Sequence, residues 1–372
     1  MSIDATWVEI ASVDELARRQ AAWRALVDRA AEPNVFADPA FLLPALRRLA
    51  PERLTPLLIW RDTRRSALIG LIVLRKPLFG LGLARPWRSE QAGLAAMLFD
   101  RGALEGAVAA ILAWARPRCA GIVWSAVERE GPLARALSAL ATRERLRLDV
   151  VNPRRRAALI VAGEERFDAG LDKKRRKDWA RQARRLAERG ALSADVADSE
   201  AAIEDFLGLE AKGWKGARAT ALAAEPERLA FAREMLAAFR ERGQLQIHAL
   251  ALDGEAAGIG VVLLAGARAF YWKTAYDESL AEFSPGVQLT LALSRRLARE
   301  SGLSLVDSCA LQDHPMIDRI WPGRLEFVDL AIAPTPEGAA RLGAWLAADR
   351  LARQARERLK RIVNRLRGGK RV

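Results

Sequence analysis

Three residues able to move protons lie close together late in the chain: Tyr276, Asp307 and His314. A phenol, a carboxylate and an imidazole can together donate, accept and relay protons near neutral pH. Between the first two stands Ser284-Pro285-Gly286, at the head of a segment with apolar residues at helical spacing. Serine is a good N-cap, proline suits the first helical position, and glycine puts no side chain in the way. The N–H groups of Gly286, Val287 and Gln288 would then face outward with the positive end of the helix dipole, which makes an anion cradle. Lys273 lies just upstream and is suited to a phosphate or a substrate carboxylate. Each feature also has a plainer reading: a helix start, a strand-end cap, a structural loop histidine, an outward strand lysine. Cys309 falls between Asp307 and His314, but its spacing matches no cysteine–histidine nucleophile.

These residues need elements to hold them. ARAFYWKTA (267–275) reads as a strand, LTLALSRRLARESG as a helix, and LSLVDSC as a strand ending near Asp307. Asp307 would thus stand beside the strand that carries Tyr271 and Tyr276. QLQIHALAL and GIGVVLLA precede ARAFYWKTA, and the turns LDGE and AGAR make the three a meander. His248, within the first of these strands, reads as packing or surface. Helices are expected over 13–30, 39–49, 102–115, 131–144, 199–211 and 226–242, with Asp38 capping the second. AGIVWSAV, LRLDVVN, RRAALIV and RLEFVDLAI read as further strands.

The hairpin LIWRDTRRSALIGLIVL (58–74) resembles LALDGEAAGIGVVLL (250–264), with Ile69-Gly70 matching Ile259-Gly260. Helix pairs precede both, which favours a duplicated unit. Consecutive antiparallel strands mixed with helices argue for α+β and against a doubly wound parallel sheet. No glycine-rich dinucleotide or P-loop motif occurs.

The chain has 372 residues, half of them hydrophobic, and a formal charge of +14. The basicity is local. Residues 341–372 carry eleven Lys/Arg against Asp349 and Glu357, and residues 172–189 carry nine against three acids. The latter helix has an apolar seam at Trp179, Ala183 and Leu186, and could meet nucleotide phosphates or an anionic polymer. In the tail, Trp345, Leu346, Ala355, Leu359, Ile362, Val363 and Leu366 fall at helical spacing among cations, a pattern suited to an anionic membrane surface. Two distant cysteines and two histidines give no disulfide framework and no metal centre. The N-terminus has no signal-peptide pattern and no apolar run reaches membrane-span length. The expectation is a cytoplasmic protein, with the inner membrane face as a peripheral site.

Trp214-Lys215-Gly216, the meander, Tyr276-Asp277-Glu278, Ser-Pro-Gly, the helix ending at Gly302 and the strand ending at Asp307 together resemble the CelD-like branch of the GNAT acyltransferase superfamily. That branch is named for a protein linked to bacterial cellulose biosynthesis. KKRR…ARRLAERG and NVFADPAFL (34–42) share the similarity, which covers roughly residues 5–335 and is more specific in the second half. The resemblance implies tandem GNAT-like domains related to the Fem peptidyl transferases, each a mixed, largely antiparallel sheet flanked by helices. The expected division is 1–155, a degenerate domain; 156–340, the acyltransferase domain; and 341–372, a basic amphipathic tail.

The activity implied is N-acyl transfer from acyl-CoA, as co-substrate, to an amine on a small molecule or an envelope-polysaccharide precursor, with no metal. The family's glycine-rich pyrophosphate loop is reduced here to Gly286. In that chemistry Asp307 or His314 would serve as base and Tyr276 as acid or orienting hydroxyl. Ser284, Gly286, Val287, Gln288 and Lys273 would bind the donor. Two alternatives stand beside it: a Fem-like transferase using aminoacyl-tRNA on the basic helix, and an inactive binding module in envelope-polysaccharide assembly.

Overall fold

The computed structural model describes residues 6–50, 54–75, 82–212 and 221–368. The first half runs β1 (Trp7–Ile10), α1 (Val13–Arg18), α2 (Gln20–Asp28), α3 (Pro39–Arg48), β2 (Leu54–Trp60), β3 (Leu68–Arg75), β4 (Leu83–Pro86), β5 (Met97–Phe99), α4 (Leu104–Ala115), β6 (Gly121–Glu128), α5 (Pro132–Arg143) and β7 (Arg147–Ile160). The second runs α6 (Glu164–Ala169), α7 (Lys173–Ala187), β8 (Leu192–Ala197), α8 (Glu200–Lys212), α9 (Pro226–Arg240), β9 (Leu245–Leu252), β10 (Glu255–Ala265), β11 (Arg268–Tyr276), α10 (Pro285–Arg299), β12 (Leu305–Asp307), α11 (Ile317–Ile320), β13 (Gly323–Ala333) and α12 (Pro336–Gly368).

The strands form one sheet in the order β1-β2-β3-β4-β6-β13-β7-β12-β11-β10-β9-β8, with β5 on β3. Its two wings follow the same plan. β1 to β4 and β8 to β11 are antiparallel runs. β4 then pairs in parallel with β6, and β11 with β12. A parallel neighbour requires a crossover, supplied by α4 in one wing and α10 in the other. The last strand of each half is exchanged: β7 pairs with β12, β13 pairs with β6, and the two meet antiparallel at the centre. The fold is therefore α+β, built from two halves of like plan around a largely antiparallel sheet. The resembling hairpins occupy equivalent places, as β2–β3 and β9–β10, with Gly70 and Gly260 both on the second strand.

LRLDVVN and RRAALIV, expected as separate strands, are one strand, β7. Pro153 does not break it, because the ladder shifts register here, between Phe327 and Asp329 of β13, and Asn152 takes a positive φ of 53°. Proline is tolerated at such a bulge. The boundary expected between 155 and 156 falls inside this strand. The helix expected over 13–30 is two helices, interrupted at Arg19. Asp38 caps α3 as expected, accepting from the Ala40 N–H at 2.8 Å.

One hydrophobic core runs across both halves. Phe36 meets Phe41 and Phe270 edge-on, and Phe41 meets Phe231 at 5.2 Å between centroids. Arg242 also reaches across to the buried Asp38 at 2.6 Å. The halves are packed together rather than tethered. Leu342 and Leu346 of α12 are buried against the sheet, whereas Leu351 is exposed, so the helix leaves the body between them. Trp214-Lys215-Gly216 and residues 369–372 lie outside the described residues, as do the side chains of Leu359, Ile362, Val363 and Leu366. Among the described residues no helix is long and apolar enough to cross a membrane.

Candidate active site

β11 ends at Tyr276, and the chain turns through a short 3-10 segment, Glu278–Phe283, before α10 begins. Asp277 holds that turn by accepting from the Ser279 N–H at 2.9 Å. Ser284 sits at the N-cap position, but its φ of 53° is left-handed and its hydroxyl makes no cap bond. Side-chain capping needs an extended backbone at that position. The Ser284 Oγ instead accepts from Gln182 Nε2 at 3.1 Å.

The Val287 and Gln288 N–H groups both donate to the Ser284 carbonyl, at 2.9 and 3.2 Å. The cradle expected from three N–H groups therefore narrows to Gly286, which these bonds do not use. Gly286 is buried between two side chains. A Cβ placed on it would lie 3.4 Å from Tyr276 Cδ1 and 3.8 Å from Met316 Sδ. The Gln288 side chain donates to the Trp179 carbonyl at 3.0 Å and so ties α7 to this helix start.

The basic helix α7 lies directly over this junction. Its expected seam is real: Leu186 is buried, and Trp179 and Ala183 are half-buried. Arg185 pairs with Glu282 at 2.8 Å and lies 5.3 Å from the Phe283 ring. Lys173, Lys174, Arg176, Lys177, Arg181 and Arg184 remain exposed. A cationic face thus borders the N-terminus of α10.

His314 is half-buried in the loop before α11, and its Nδ1 accepts from the N–H groups of Met316 and Ile317 at 3.3 and 3.4 Å. An Nδ1 that accepts carries no proton, so the neutral ring presents Nε2–H. Met316, two residues on in this loop, lies beside Gly286, and Gly286 lies beside Tyr276.

Asp307 and Lys273 lie elsewhere. Asp307 is 1% exposed; its Oδ2 is paired with Arg156, and its Oδ1 accepts from the Cys309 N–H at 2.8 Å. It aligns with Phe270, six positions before Tyr276. At about 3.3 Å per residue that is roughly 20 Å along the strand. Lys273 Nζ lies 3.8 Å from Glu210, a buried carboxylate that also accepts from the Leu222 N–H at 2.9 Å. Burial, with Asp307 alongside, raises the Cys309 thiol well above its usual range, so it is no thiolate nucleophile. His248 is buried on β9, and burial together with Arg296 pushes it down to about 3. It stays neutral and packs, as its strand position suggested.

Two features flank the site. The β11–β12 pairing stops at Phe270–Asp307 while β11 continues to Tyr276, so the two strands part. Trp321 fills the gap near their junction: it is fully buried, 5.9 Å from the Tyr271 ring, and donates to Ser294 Oγ at 2.7 Å. Opposite β10, Trp272 is an unpaired bulge residue, since Val261 faces Lys273 and Val262 faces Tyr271. On the other side of Tyr276 opens a cleft of about 660 Å³, lined by Glu204, Asp205, Glu255, Asp277 and Glu278 together with Lys212. Its charge is predominantly negative.

Sequence reasoning missed a partly buried charge chain where the halves meet. Glu128 pairs bidentately with Arg268, one contact being 3.0 Å. Glu32, beside them, accepts from the Leu133 N–H at 3.0 Å, yet burial raises it to about 7. Arg268 also feels Asp307, which links this group to Arg156. These residues come from distant segments, and no local pattern announces them.

The comparisons with known proteins agree with this fold. Residues 173–314 match the family model described as the acetyltransferase (GNAT) domain. The crystal structure of FemX is similar in fold, with a TM-score of 0.54 at 13% identity, over 87% of this chain and 96% of that one. A conserved protein of unknown function from Bacteroides thetaiotaomicron gives 0.55 at 11%, over 88% and 99%. No curated protein sequence matches the chain. No group of three or more His, Cys, Asp or Glu placed to hold a metal occurs among the described residues.

Proposed function

We propose that the protein is a GNAT-type N-acyltransferase that moves an acyl group from acyl-CoA to an amine. The observation that carries this is the docking of the basic helix α7 on the head of α10, through Gln182 on Ser284, Gln288 on Trp179 and Arg185 on Glu282. The donor's phosphates would rest on the Gly286 N–H and the α7 cations. The acceptor amine would enter through the acidic cleft beside Tyr276, where carboxylates attract an ammonium group and take up its proton.

The free amine attacks the thioester carbonyl carbon. The His314 Nε2–H is the donor assigned to the carbonyl oxygen. The C–S bond breaks, Tyr276 gives its hydroxyl proton to the departing thiolate, and the proton released by the acylated nitrogen restores the Tyr276 hydroxyl. Asp307 has no part in this scheme, because both of its oxygens are engaged by Arg156 and Cys309. The N-terminal half acts as a packing partner without a donor site of its own. The likeness to CelD-type proteins and to Fem transferases favours an acceptor from envelope polysaccharide or cell-wall assembly. The α12 extension, with Leu351 and Ala352 exposed among cations, would recruit the chain to an anionic membrane surface.

A second reading rests on the same helix: α7 would hold the phosphates of an aminoacyl-tRNA donor. Titration calorimetry with acetyl-CoA, alone and with bulk tRNA as competitor, separates the two. Acetyl-CoA binding that tRNA leaves unchanged supports the acyl-CoA reading. Binding of tRNA with no binding of acetyl-CoA overturns it.

A further inference from the structure

Arg154, Arg155 and Arg156 stand consecutively on β7, where that strand passes from one half of the molecule to the other. A run of three cations in a central strand is costly unless anions answer it. Two are answered within the protein. Arg154 donates to the buried Asp329 at 2.8 Å, and Asp329 also holds the Ala126 N–H and the Asn152 amide. Arg156 is paired with Asp307, donates to the Gly93 carbonyl at 3.0 Å and lies 4.5 Å from the Phe327 ring centre. Its side chain is only 10% exposed, and its Nε has no hydrogen-bond partner.

The third cation is unanswered. Arg155 is exposed and pairs with no carboxylate among the described residues; its backbone N–H is held by Gln312 Oε1 at 3.2 Å. Arg154, Arg155, Gln312 and Phe327 line a cleft of about 330 Å³ with Arg129 and Glu326, whose own contact is a loose 3.6 Å. Arg88, from the segment after β4, also pairs with no carboxylate among the described residues, and it feels the charges of Arg154 and Arg156. Arg129, Arg154 and Arg155 in the cleft, with Arg88 near enough to feel the charge of Arg154, face Glu326 and Asp329, a surplus of two positive charges. A dianion would balance that surplus; a single carboxylate would not. Guanidinium forks also match phosphate oxygens in geometry.

We propose that this cleft, between β7 and the loop carrying Gln312, is an anion site for a phosphate or diphosphate group. It is separate from the head of α10, and the inference does not depend on the transfer reaction. A ligand there would touch both halves at once, through Arg129 of the first and Gln312 of the second.

The test is titration of the full chain with inorganic pyrophosphate at low ionic strength, followed by calorimetry. Arg88→Gln/Arg155→Gln removes the two cations that no carboxylate needs, so folding should survive. It is expected to weaken binding roughly ten-fold or more, the loss of one or two charge-assisted hydrogen bonds. Arg181→Gln/Arg184→Gln on α7, which removes cations assigned to the donor site, should leave in place the part of the binding that Arg88→Gln/Arg155→Gln removes. Failure of the wild-type chain to bind pyrophosphate would overturn the proposal, as would undiminished binding by the seam variant or loss only in the α7 variant. If the double variant does not fold, Arg155→Gln and Gln312→Ala measured singly decide the question by the same criteria.

Discussion

Replacing Asp307 by asparagine separates a base from a clamp. Asparagine keeps an oxygen for the Cys309 N–H but withdraws the charge that faces Arg156. Arg156 would then be a buried cation with an unpartnered Nε and only the more distant Glu128 as counter-charge. Removing one member of a buried ion pair costs about 3–5 kcal/mol. For 372 residues the unfolding entropy is about 0.8 kcal/mol/K, so the melting temperature should fall by about 4–6 °C. Thermal and urea unfolding measure this, and steady-state kinetics at 20 °C then give activity per folded molecule. That activity should change less than about three-fold, well below the roughly 100-fold or more expected for loss of a general base. Arg156→Gln/Asp307→Asn should recover part of the lost stability, because the pair is coupled. An unchanged melting temperature with a 100-fold fall in turnover would refute the reasoning and make Asp307 the base.

Other expectations follow from the same geometry. Tyr276→Phe should lower turnover by about 100-fold while donor affinity holds, as measured by kinetics and calorimetry. Glu32 titrates near 7 in the fold against 4.5 ordinarily, so its contribution to stability is full below about pH 4.5 and is lost as pH rises through 7. Glu32→Gln should therefore be neutral at pH 4.5 and stabilising by up to about 3 kcal/mol at pH 8, as judged by urea unfolding. Deleting residues 341–372 removes buried Leu342 and Leu346, so the membrane test is better made by truncating after Asp349. Full-length protein should sediment with anionic vesicles at low salt and the truncated protein should not; equal sedimentation would remove the membrane role.

The sequence made much of the fold legible because its signals were local. The meander β9–β11 is marked by alternation and by turns such as Asp253-Gly254, where both residues take positive φ. The hairpin likeness around Gly70 and Gly260 marked the duplication. The exchange of β7 and β13 was not legible, since register across halves is set by long-range pairing and Pro153 suggested a break. At the site, Tyr276 and Gly286 were found beside each other, as their positions at a strand end and a helix start implied. Ser284 misled, because its type fits a cap but its left-handed backbone forbids one. Asp307 misled similarly: a strand-end carboxylate looks available until Arg156, far away in sequence, is placed against it.

The central claim is that the head of α10 is a donor site. Gly286→Glu tests it most directly. A Cβ at this position meets only ordinary contacts, and an acid in a helix's first turn is favourable by roughly 0.3–1 kcal/mol, so the variant should fold. Its carboxylate would enter the space beside Tyr276 and Met316 and repel phosphate. Calorimetry with acetyl-CoA should show binding by the wild-type chain and none by the folded variant. Equal affinity in the two would show that Ser-Pro-Gly only starts a helix.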